Sequence, residues 1–64
     1  MNITVNGKLY SVISSNLADL LIELDYSGKI ATALNESFIP SDERPNIFIK
    51  EGDRLEIVAP MEGG

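Results

Sequence analysis

Apolar and polar positions alternate at the start of the chain. Met1, Ile3 and Val5 fall on one side and Asn2 and Thr4 on the other, the pattern of a half-buried strand. Asn6-Gly7 follows, a pair that favours a two-residue hairpin because both central positions of a type I′ turn need positive φ. Leu9, Tyr10, Val12 and Ile13 supply a returning strand, with imperfect alternation around Ser11. The period then changes. Leu17, Leu20, Leu21 and Leu24 recur at i, i+3, i+4 and i+7, one apolar stripe of a helix, with Asp19, Glu23 and Asp25 off it. Asn16 is the expected N-cap, and Asp19 stands three residues on, where a capping box places an acid or amide. Gly28 is the expected stop, so the pattern predicts a helix over roughly 17–26.

Ile30 to Leu34 reads as a further strand, its alanines at alternate positions expected to pack closely under the helix. Asn35-Glu36-Ser37 is a turn, and Phe38-Ile39 a very short strand stopped by Pro40. The polar stretch SDERPN, residues 41–46, reads as a surface loop. A brief apolar run, Ile47-Phe48-Ile49, precedes a tight turn at Glu51-Gly52-Asp53. Leu55 to Ala59 is the last strand, with Leu55, Ile57 and Ala59 on one face, and Pro60 closes it because proline cannot donate to a central ladder. A hairpin, a crossing helix and further strands predict an α+β fold: a mixed sheet of about four to five strands with one main helix on one face. The first and last strands are expected side by side and parallel in its middle. The domain is expected to cover residues 1–59, with 60–64 a flexible tail.

Composition narrows the chemistry. The chain has 64 residues, enough for one domain but not for a deep cleft. It holds no cysteine and no histidine, which rules out a disulfide framework, a Cys/His zinc site and the usual triad base. The absence of cysteine agrees with a cytoplasmic location. Its carboxylates match no cation-binding loop, and no glycine-rich phosphate loop is present. Ten acidic against five basic residues leave a net charge of −5, which repels phosphate backbones and argues against nucleic acid as a partner. No apolar run is long enough to span a membrane and no basic leader precedes one. A free-standing enzyme is therefore disfavoured, and no metal or bound cofactor is expected.

What remains is the terminal stretch Pro60-Met61-Glu62-Gly63-Gly64. Five residues span at most about 17 Å when extended. Gly63 and Gly64 lack Cβ, so this backbone passes where a side chain would clash. A terminal carboxylate is a poor electrophile until one oxygen becomes a good leaving group, as in an acyl-adenylate. With no nucleotide site in the chain, that activation falls to another protein.

The stretches VNGK, LADLLIEL, ALNESFIP, EGDRLEIVAP and the terminal GG together resemble the bacterial sulfur-carrier proteins of the ThiS/MoaD family. The resemblance covers nearly the whole chain, and the length of 64 residues is closer to the thiamin branch. It implies a ubiquitin-like β-grasp fold. It also implies that an E1-like adenylyltransferase (ThiF/MoeB-like) uses ATP to adenylate Gly64, which then becomes a thiocarboxylate. The sulfur goes to an acceptor synthase, a ThiG-like thiazole synthase in the thiamin branch or the molybdopterin synthase large subunit in the other. The carrier itself binds no cofactor and is expected to be a monomer when free. A ubiquitin-like modifier, joined to lysines from the same adenylate, is a further alternative, and so is a plain interaction domain. Met61, Glu62 and Gly63 are expected to enter the partner's channel. Glu62 departs from the small or neutral residues common before the glycines. Phe48, Ile49 and Val58 are candidates for a docking patch, against an equal expectation that they are core.

Overall fold

The computed structural model describes residues 1–59, so Pro60, Met61, Glu62, Gly63 and Gly64 lie outside the described residues. The chain runs through β1 (Asn2–Val5), β2 (Lys8–Ser11), α1 (Leu17–Glu23), β3 (Ala31–Leu34), β4 (Ser37–Ile39), a 3-10 helix (Ser41–Asn46) and β5 (Arg54–Val58). The five strands form one mixed sheet in the order β2-β1-β5-β3-β4. The β1 and β5 strands are central and parallel, as expected, and the remaining pairs are antiparallel. With α1 across one face, this is the β-grasp arrangement.

The hairpin forms where Asn6-Gly7 predicts it, with φ of 52° and 82°. Its register pairs Ile3 with Tyr10 and Thr4 with Leu9. The alternation around Ser11 is in fact regular: Tyr10 and Val12 turn inward, while Leu9 and Ile13 are exposed. The core joins Ile3, Val5, Leu17, Leu20, Leu21, Leu55 and Ile57, so α1 and one face of the sheet bury a shared apolar layer. Asn16 caps the helix as predicted, its Oδ1 accepting from the Asp19 amide at 2.8 Å, while its Nδ2 donates to Asp19 Oδ2 at 3.2 Å.

Four local expectations are corrected. The helix ends at Glu23, not near residue 26, because Asp25 and not Gly28 adopts the left-handed conformation next to it, with φ of 66°. Tyr26 N–H then bonds Leu21 C=O at 2.8 Å and Asp25 N–H bonds Ile22 C=O at 3.0 Å, the paired bonds of a Schellman motif. Ala31 and Ala33 do not lie under the helix. Thr32 is the buried residue of β3, and the alanines take the opposite face by alternation. SDERPN is an ordered 3-10 helix anchored by Arg44, whose Nη2 donates to Ile30 C=O at 2.7 Å. Finally, Ala59 is exposed and lies past the end of β5.

Candidate functional site

The end of β5 delivers the chain to residue 60, so the groups that hold β5 decide where the terminal segment starts. Two turn asparagines do much of this. The β1 backbone supports β5 only as far as Leu55, whose C=O accepts from Asn6 N–H at 2.9 Å. Chain reversal at Asn6-Gly7 then removes the next ladder position. The Asn6 side chain fills it: Ile57 N–H donates to Asn6 Oδ1 at 2.8 Å, and Asn6 Nδ2 donates to Ile57 C=O at 3.1 Å. Asn35, in the β3–β4 turn with φ of 50°, acts at the other end of β5. Its N–H bonds Arg54 C=O at 2.7 Å, and its Oδ1 accepts from Arg54 N–H at 2.9 Å. The sequence pattern marks both residues as turn formers. Their second role has no signal in periodicity, because it depends on which strand lies beside the turn.

Asn35 also reaches a buried carboxylate. Asp53 is 4% exposed and accepts from Asn35 Nδ2 at 3.0 Å, Lys50 N–H at 2.9 Å and Lys50 Nζ at 3.4 Å. Burial disfavours its charge, but these hydrogen bonds and the nearby ammonium outweigh burial and lower its pKa. Glu23 is likewise lowered, chiefly by the Ser14 hydroxyl donating to it at 2.7 Å, and then by the Ser14 and Ile13 amides. Both carboxylates hold loop backbone in place, Asp53 at the Lys50 amide and Glu23 at the Ile13 and Ser14 amides. Among the described residues no group of three or more acidic side chains is placed to hold a metal ion.

The three candidate docking residues separate. Val58 is 63% exposed and lies on the sheet face opposite α1. Phe48 is 70% exposed but bridges to Asn16 beside the start of the helix. Ile49 is 6% exposed and belongs to the core, so it is not available at the surface; its N–H bonds Ser15 C=O and turns this run inward. The register instead sets other residues beside Val58. Ala31 is directly opposite it, Ala33 is two residues along β3, and Phe38 is opposite Ala33. Val58, Ala31, Ala33 and Phe38 thus lie together on the open face, with the exposed Glu56 across from Ala33 at their edge, next to the end of β5. Alternation along each strand is the available signal for Phe38. The strand order needed to join it to Val58 has no such signal.

The family model of the ThiS family matches residues 3–64. The chain belongs to the ThiS family. The fold agrees with solved structures. A crystal structure of the thiamine biosynthesis protein ThiS from Geobacter metallireducens is 30% identical, with a TM-score of 0.85 and full coverage of both chains. A solution structure of a thiamine biosynthesis protein from the same organism is also 30% identical, with a TM-score of 0.82, covering all of this chain and 88% of the other. Among curated proteins no sequence matches. No helix among the described residues of this ThiS-family chain is long and apolar enough to cross a membrane.

Proposed function

We propose that this ThiS-family chain is a sulfur carrier for the thiazole branch of thiamin biosynthesis, and that it acts as a co-substrate of partner enzymes. The observation that carries this reading is the family match, which extends through Gly64 and so includes the terminal Gly-Gly. The names borne by the similar solved structures point to the same pathway.

The chemistry follows from the Gly64 carboxylate. One carboxylate oxygen attacks the α-phosphorus of ATP on an E1-like adenylyltransferase, and pyrophosphate leaves. A sulfur nucleophile at the sulfide level then attacks the acyl carbon. The C–O bond to AMP breaks, and AMP departs with the former carboxylate oxygen. The product is a thiocarboxylate, which passes its sulfur to a thiazole synthase. With no cysteine anywhere, the chain has no thiol on which to carry sulfur, and the terminus is the group left for the task. The Val58–Ala31–Ala33–Phe38 area offers an apolar seat for the activating enzyme beside the exit of the segment that must enter its channel.

The test is intact-mass spectrometry of the chain co-expressed with the activating enzyme. The expected result is replacement of one oxygen by sulfur, localised to Gly64. A chain lacking Gly64 should stay unmodified; sulfur on that truncated chain refutes the assignment. Adducts on lysines of other proteins would point to a modifier instead.

A further inference from the structure

Asn6 is the one asparagine of the chain that precedes a glycine; Asn2, Asn16, Asn35 and Asn46 precede Ile3, Leu17, Glu36 and Ile47. Asparagine is a thermolabile residue, and a following glycine makes it more so. The next backbone nitrogen can attack the side-chain Cγ and close a five-membered ring, and glycine brings that nitrogen in with no Cβ beside it. Asn6 and Gly7 are both exposed, so water and base reach the pair.

The fold holds this pair out of reaction. The φ values of 52° and 82° are those of a type I′ turn, in which an L-residue at Asn6 sets its Cβ and the Gly7 nitrogen nearly anti across the Cα–C bond. Ring closure needs them on the same side, so the backbone must first rotate. Both ends of the carboxamide are also occupied. Oδ1 accepts from Ile57 N–H at 2.8 Å, and Nδ2 donates to Ile57 C=O at 3.1 Å. The Asn6 N–H is tied to Leu55 C=O at 2.9 Å. Attack therefore requires that the end of β5 let go of the Asn6 side chain.

We propose that Asn6 is a self-modification site, deamidated through the Gly7 nitrogen at a rate set by how often the end of β5 releases its carboxamide. Solvent base takes the Gly7 N–H proton as the nitrogen attacks Cγ. A Cγ–N bond forms, the Cγ–Nδ2 bond breaks, and ammonia leaves with a proton returned by water, giving a succinimide. Water then adds to one of the two ring carbonyls and a ring C–N bond breaks, leaving an aspartate or an isoaspartate. Either product carries a carboxylate and no Nδ2 donor. Ile57 C=O loses its partner and faces a charged oxygen that only accepts. Isoaspartate also lengthens the turn backbone by one carbon. Conversion thus weakens the clasp on β5. This chemistry needs no partner protein and is independent of the sulfur-carrier reading.

The test is intact-mass and peptide-map spectrometry of the full chain incubated at mildly alkaline pH in ¹⁸O-water, which marks each converted amide with heavy oxygen. Conversion should map to Asn6 and not to Asn35, which is also left-handed, with φ of 50°, but precedes Glu36. The folded chain should convert about 5- to 150-fold more slowly than the urea-unfolded chain, the factor that two hydrogen bonds supply. In steps of sub-denaturing urea the rate should rise in parallel with amide exchange at Ile57. Asn6→Asp makes one product directly and should lower Tm by about 4–8 °C, for one bond lost. Equal rates in the folded and unfolded chains overturn the proposal. So does conversion at another asparagine, or its absence where Ile57 exchanges freely. A parent-like Tm for Asn6→Asp overturns the weakening of the clasp.

Discussion

Replacing Asn6 by glycine isolates the contribution of a side chain that stands in for a missing strand. Glycine accepts the φ of 52° at this position without strain, so the turn itself is preserved. The substitution removes the bonds of 2.8 Å and 3.1 Å to the N–H and C=O of Ile57. At about 0.5–1.5 kcal/mol net for each bond, the expected loss is about 1–3 kcal/mol. For a domain of this size each kcal/mol is worth about 4–8 °C in Tm, so Asn6→Gly should lower Tm by roughly 10 °C. Asn6→Ala loses the same bonds and adds about 1–2 kcal/mol for a left-handed residue with a Cβ, so its Tm should fall further. Thermal unfolding by circular dichroism measures both variants. Amide exchange at Ile57 locates the effect, since that N–H should lose protection while the amide of Leu55 keeps more of its own. If Asn6→Gly melts within about 2 °C of the parent, a shift worth less than about 0.5 kcal/mol, water replaces the clasp without cost and the reasoning fails.

Leu20 is fully buried in the core, so Leu20→Ala should cost about 2–5 kcal/mol, readable as a lower urea midpoint. The Asp53 pKa is depressed in the folded state, so its contribution is fully present above the unfolded value near about 3.9 and is lost as pH falls through the lower folded value. The stability gap between the parent and Asp53→Asn should therefore narrow below about pH 4, as followed by chemical denaturation. Asp25 occupies the left-handed helix-terminating position, and Asp25→Gly should raise Tm by roughly 4–8 °C, equivalent to about 1 kcal/mol of relieved strain. Val58→Asp places a charge in the proposed apolar seat. Steady-state loading should show KM for the activating enzyme raised by on the order of tenfold, about 1.4 kcal/mol; an unchanged KM removes Val58 from the docking surface.

Much of the framework is legible from local physics. Periods of two and 3.6, Asn6-Gly7 and the Asn16–Asp19 cap locate the hairpin and the start of the helix, because each signal is contained within a few neighbouring residues. Alternation on Leu55 and Ile57 locates the buried face of the last strand for the same reason. The terminal glycines and the absence of cysteine make the Gly64 carboxylate the expected sulfur-bearing group on residue type alone. Tertiary structure decided the rest. It sent Ile49 inward and left Phe48 outside, since an isolated three-residue apolar run has no period from which to choose a face. It made Asp25 the helix stop, because the two bonds that close the helix also seat Tyr26 against the core. It joined Val58, Ala31 and Phe38 into one area, because residues far apart in sequence become neighbours only through strand order and register. Asn6 and Asn35 show the division most clearly. Sequence determined that both would turn the chain; only the placement of β5 between their two turns made them the residues that hold it.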